Sequence, residues 1–213
     1  SLIIMDDAYY RDLVDKVELN QRRMFSGGDD SENDFEDFSK LWEILFDEDP
    51  AISGKTFFDA VDLCLNSYYG ASQNHTIVWE SILNRYKSSL NNSVLYDDFK
   101  NAFIEFSNMN SGNAPVSPDA FGIFSEIINM AIDKGDKEMV SAIIDLVCCE
   151  ELWYDEDDIS PEWGVWFAIF LDKDFSEVKK CPETIEALNH IKEKFNDQII
   201  LERAENLAEF LDI

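Results

Sequence analysis

Basic residues are scarce in this sequence. Its 213 residues include 17 Lys and Arg against 45 Asp and Glu, which gives a formal net charge of −28 and a pI near 4.1. Proteins that bind nucleic acids need basic patches that replace the counterions of the phosphates, and anionic membranes likewise attract basic segments. We therefore expect neither a nucleic-acid partner nor a membrane partner.

Long apolar runs are also absent. The longest stretch of low charge, residues 121–131, contains Glu126 and Asn129 and is far too short to span a bilayer. Residues 1–10 lack the basic segment and apolar core of a secretory signal, so we expect a cytoplasmic protein. Apolar residues still make up 46% of the chain and aromatic residues 13%, which is enough to build a folded core.

Residue patterns for catalysis and for metal or nucleotide binding are missing. Neither His75 nor His190 belongs to an HExxH motif, and no glycine-rich phosphate loop occurs. The acidic runs lack the central Gly and the spacing of an EF-hand. The cysteines match neither a zinc pattern nor CxxC, and we expect them to be reduced core residues. They are Cys64, Cys148, Cys149 and Cys181. We expect no catalytic residues, no enzyme activity, no cofactor and no metal.

Apolar residues recur with helical periodicity along the chain, and no stretch alternates long enough to predict a strand. The predicted helices begin near residues 6, 34, 53, 74, 95, 118, 136, 160, 182 and 197. Ser53 is the predicted cap of the third helix, and a tight connection at Gly135 predicts a helix hairpin. The predicted buried face of the second helix comprises Phe35, Phe38, Leu41, Trp42, Leu45 and Phe46.

The predicted fold class is all-α, with about nine or ten helices in antiparallel pairs. Helix starts spaced by about 20 residues fit a HEAT-like stack, and an irregular bundle gives the same pattern. No long linker divides the chain, so we expect residues 1–213 to form a single acidic all-helical domain. Residues 26–34, which hold no apolar side chain, are predicted to be a flexible acidic linker.

Acidic residues concentrate in two clusters. The first, in residues 29–49, has ten acids against Lys40 alone, and the second, in residues 145–162, has eight acids and no base. The second cluster also interleaves aromatic residues with its acids. Carboxylates ringed by aromatic side chains suit the capture of Lys and Arg, although such acids can also form only a solvated surface. The predicted partner-binding residues are Glu150, Glu151, Trp153, Tyr154, Asp155, Glu156, Asp157, Asp158 and Trp163.

The segment from Ile143 to Trp166 places an apolar helix before acids around Trp153 and Tyr154, followed by Trp163. This order resembles the acidic and aromatic boxes of W2-type HEAT domains in translation initiation factors. The resemblance implies a helical-repeat adaptor that binds a lysine-rich segment. It has no fixed spacing to anchor it, and residues 200–213 differ from the acidic tail of that family.

Three functional hypotheses follow from these features. The first is an acidic intracellular protein that neutralises a basic protein partner, most naturally an immunity protein or antitoxin-type inhibitor of a toxin such as a nuclease. A related version mimics nucleic acid in a DNA-binding groove. The second is a W2- or HEAT-like adaptor for a lysine- or arginine-rich segment. The third is an enzyme with an unrecognised site, which the missing motifs disfavour.

Overall fold

The computed structural model describes residues 7–29, 32–46, 51–66, 75–110 and 118–147, together with isolated positions between residues 189 and 209. Within these ranges the chain forms seven α-helices and no strand, so the all-α class is confirmed. The predicted helices that begin near residues 160, 182 and 197 lie outside the described ranges. The helices are α1 (Ala8–Phe25), α2 (Glu32–Phe46), α3 (Gly54–Asn66), α4 (His75–Ser89), α5 (Ser93–Met109), α6 (Pro118–Lys134) and α7 (Lys137–Val147).

The chain divides into two compact units, residues Ser1–Phe106 and Ser107–Ile213. The first unit holds α1 to α4 and most of α5, and the second holds α6 and α7. The expectation of a single domain stays a prediction. In the described residues, no helix combines the length and the apolar character needed to cross a membrane.

In the first unit, α1 packs against both α2 and α3, and α3 packs against α4. Asp7 at the start of α1 contacts Ser53 at the start of α3, and Arg11 contacts Asp59 further along both helices, so α1 and α3 run in the same direction. Lys16 of α1 pairs with Asp37 of α2, whereas Arg23, which comes later in α1, pairs with Asp34, which comes earlier in α2. The two helices are therefore antiparallel. The three helices bury their apolar faces against one another.

Aromatic side chains fill the core between α3 and α5. The ring of Phe58 lies 5.1 Å from that of Phe57, 5.4 Å from Phe99, 5.7 Å from Phe103 and 5.3 Å from Phe106, measured between ring centroids. Most of these pairs are edge-to-face or tilted, the arrangements that aromatic quadrupoles favour. All five rings are buried. Residues spaced three and four apart on both helices thus produce one interlocked core, as helical periodicity requires.

Helix ends follow local capping chemistry. The Thr56 amide donates to Ser53 Oγ at 3.2 Å, which confirms Ser53 as the cap of α3. In the second unit, α6 ends at Gly135, whose φ of +73° is a left-handed conformation that glycine adopts without strain. Asp136 follows directly, its backbone N–H donating to the carbonyl oxygen of Ala131 at 3.2 Å, and α7 begins one residue later. This two-residue connection brings α6 and α7 into contact as the predicted hairpin.

One predicted buried residue is exposed. Phe35 was expected on the core face of α2, but 59% of its surface is open to solvent, so the prediction for this residue is wrong. Adjacent helix positions differ by about 100° in direction, and here Asp34 and Asp37 are buried at the positions nearest α1. The buried face of α2 therefore includes these two acids, and Phe35 lies outside it.

Candidate functional site

The predicted partner-binding residues have no described geometry. Glu150, Glu151, Trp153, Tyr154, Asp155, Glu156, Asp157, Asp158 and Trp163 all lie outside the described residues. The first acidic cluster, residues 29–49, is described in part, and the contacts of its acids are visible there. Its helix α2 begins at Glu32, within the range predicted as a linker.

Two acids of this cluster are buried and neutralised by α1. The guanidinium of Arg23 forms a salt bridge with Asp34, and the ammonium of Lys16 lies 3.4 Å from Asp37. The two carboxylate side chains are only 6% and 8% exposed, whereas both cations reach solvent. Buried carboxylates require such partners, because an uncompensated charge away from water is very costly. These acids are therefore part of the contact between α1 and α2.

Other Lys and Arg residues of the first unit also form ion pairs with its acids. Arg11 joins Asp59 of α3 at 2.5 Å and Asp15 of its own helix at 3.0 Å, and Lys55 lies 3.7 Å from Glu105 of α5. Arg22 pairs with Glu18, and Lys40 pairs with Glu36. The guanidinium of Arg85 takes a different role, since it lies 4.8 Å from the ring centroid of Phe57 and donates to the carbonyl oxygen of Ile52. At least six of the nine bases in residues 1–106 thus hold acids of the same unit.

Four exposed acids within helices of the first unit make no ion pair with the described residues. We call them the four solvent-facing acids: Asp12, Glu43, Glu80 and Asp97. They are exposed and distributed over α1, α2, α4 and α5. The described acids of the first unit therefore include some that are paired with cations of the fold and others that make no such pair.

A polar junction forms where α3 begins. Ser53 Oγ and Thr56 Oγ1 donate to Asp7 Oδ2, and the Gly54 amide donates to Asp98 Oδ2 at 2.7 Å. Burial by itself would raise the pKa of Asp7, but the hydrogen bonds from Ser53 and Thr56 outweigh it, so this pKa lies below its usual value. The backbone N–H groups of Ser53 and Gly54 thus donate to the carboxylates of Asp7 and Asp98. The junction ties the starts of α1 and α3 to α5.

Residue types with reactive potential are few in the described ranges. Cys64 is buried in the core, and its burial raises the pKa of the thiol, which keeps it protonated and unreactive. Cys148, Cys149, Cys181 and His190 lie outside the described residues, and His75 begins α4. In the described part of the chain, no group of three His, Cys, Asp or Glu side chains is arranged to hold a metal ion.

Sequence reasoning treated the first acidic cluster as a unit and missed its pairing with α1. A usable signal exists, because Lys16 and Arg23 are seven residues apart and share a face of α1, while Asp34 and Asp37 share a face of the next helix. No match to a family model, to a curated protein or to a solved structure was found for the chain. A function must therefore be inferred from charge and contacts.

Proposed function

We propose that this protein binds and neutralises a basic protein partner, most simply as an immunity protein or antitoxin-type inhibitor of a toxin such as a nuclease. The observation that carries the proposal is the division of the charge. The cations of the first unit already hold acids such as Asp34, Asp37 and Asp59, and the chain still has a net charge of −28. The proposal includes no catalytic step.

A surplus of this size has a direct kinetic consequence. A strongly anionic surface attracts a cationic partner before contact and can raise the association rate to about 10⁸–10⁹ M⁻¹s⁻¹ at low salt. Fast capture suits an inhibitor, because a toxin must be bound before it reaches its target. The same field repels nucleic acid, so the inhibitor itself would not bind the substrate of the nuclease.

The proposed contact surface is residues 150–163, which comprise most of the second acidic cluster together with Trp163. Its acids, such as Asp155 and Asp157, would accept charge-assisted hydrogen bonds from Lys and Arg side chains. Its aromatic residues Trp153, Tyr154 and Trp163 would supply stacking and cation–π contacts, the kind of anchor that carries much of the energy at protein interfaces. The four solvent-facing acids provide a reference set of equal charge, since they lie on described helices outside residues 150–163.

Co-expression tests the proposal most directly. A toxin encoded beside this gene should arrest growth when expressed alone, and growth should resume when this protein is expressed with it. The complex purified from such cells should dissociate as salt rises from about 0.1 M to about 1 M, where the Debye length falls to about 3 Å. Absence of both rescue and a salt-sensitive complex with any basic protein would refute the proposal.

Two matched charge reversals separate a local site from a general charge effect. One variant changes Asp155, Glu156, Asp157 and Asp158 to Lys, and the other changes the four solvent-facing acids to Lys, so the net charge shifts equally. A local site predicts that only the first variant loses affinity by more than about a hundredfold, which corresponds to about 2.7 kcal/mol. Equal losses would place binding in the overall field and not in residues 150–163. Tight binding of a lysine-rich peptide without toxin rescue would instead favour the adaptor hypothesis.

A further inference from the structure

We draw no further inference here: the strongest candidate, the exposed patch around Lys40 with Tyr9 of α1 and Glu36 of α2, has its carboxylate already paired with Lys40, and nothing in the part of the chain that the structure describes shows what covers it.

Discussion

Removal of Arg23 should destabilise the protein much more than removal of its partner Asp34. The Asp34 side chain is only 6% exposed, whereas that of Arg23 is 42% exposed. In the variant Arg23→Met, a buried carboxylate loses its cation while the apolar stem is kept. Breaking a fully buried pair costs about 3–5 kcal/mol. Here the position of Asp34 near the start of α2 recovers about 0.3–1 kcal/mol, and the pair opens to water on one side, so we expect a loss of about 1.5–3 kcal/mol.

The partner substitution has a different expected outcome. Asp34→Leu leaves Arg23 able to reach water and places an apolar side chain in a buried position, which is often neutral or stabilising. Leu also favours the helix more than Asp does. We therefore expect a change of less than about 1 kcal/mol for Asp34→Leu. The double variant Arg23→Met/Asp34→Leu should recover most of the stability that Arg23→Met alone loses, because the buried charge is gone.

A neighbouring residue supplies the matched control. Arg22→Met makes the same substitution one position earlier on α1, changes the net charge equally, and removes a surface pair with Glu18 in which both side chains are exposed. Such pairs contribute about 0–1 kcal/mol. Urea unfolding followed by far-UV circular dichroism measures all four variants against the parent chain. Equal losses in Arg22→Met and Arg23→Met, or a larger loss in Asp34→Leu than in Arg23→Met, would refute burial as the deciding factor.

Four further outcomes are expected. In Gly54→Ala, the new Cβ would lie 2.7 Å from the carbonyl oxygen of Asp98 and 3.0 Å from the Ala102 side chain, so the free energy of unfolding in urea should fall by about 1–3 kcal/mol, and an unchanged midpoint would contradict this packing. Asp7→Asn should lose about 1 kcal/mol at pH 7, because the hydroxyls of Ser53 and Thr56 would donate to a neutral oxygen instead of a charged one. Because the folded pKa of Asp7 lies below 3.8, its stabilisation is present above that pH and is lost as pH falls through the folded pKa, so stability curves of variant and parent should converge in acid; a constant gap would count against a carboxylate effect. Cys64 should resist alkylation in the native state and react after denaturation, as peptide mapping by mass spectrometry would show, whereas native labelling would mean that the core opens readily. Neutralising the four solvent-facing acids to Asn and Gln should leave the unfolding midpoint unchanged or raise it, because it removes repulsion, and a loss above about 1 kcal/mol would mean that they support the fold.

Local signals predicted the helices well because the physics at each end is local. Ser53 offers a hydroxyl to the first turn of α3, and Gly135 supplies the left-handed residue that ends α6. Leu13 and Val17, four residues apart, both lie on the buried face of α1, as helical periodicity requires. Each of these features depends on residues within a few positions of one another.

Helical periodicity could not predict which residues of different helices contact one another. The burial of Asp34 and Asp37 depends on which face of α1 meets α2. A sequence pattern treats acids as exposed and therefore predicts that Phe35, and not Asp34, is buried. Likewise, Asp7 lies at the start of α1 but accepts a hydrogen bond from Ser53 at the start of α3, 46 residues away in sequence. Tertiary contacts determine whether such acids are buried and which groups they contact.

The separation of the acids into two sets bears on why the chain carries so many. Residues 1–106 contain 21 acids and 9 bases, and the described bases already hold the acids that helix packing brings together, among them Asp34 and Asp59. The four solvent-facing acids join no such contact, and each adds repulsion to the folded state. Solubility of a small domain is served by a net charge of about 2–8 in magnitude, whereas this chain carries −28. We propose that a cationic partner accounts for this excess, since contact with such a partner would turn the repulsion into attraction.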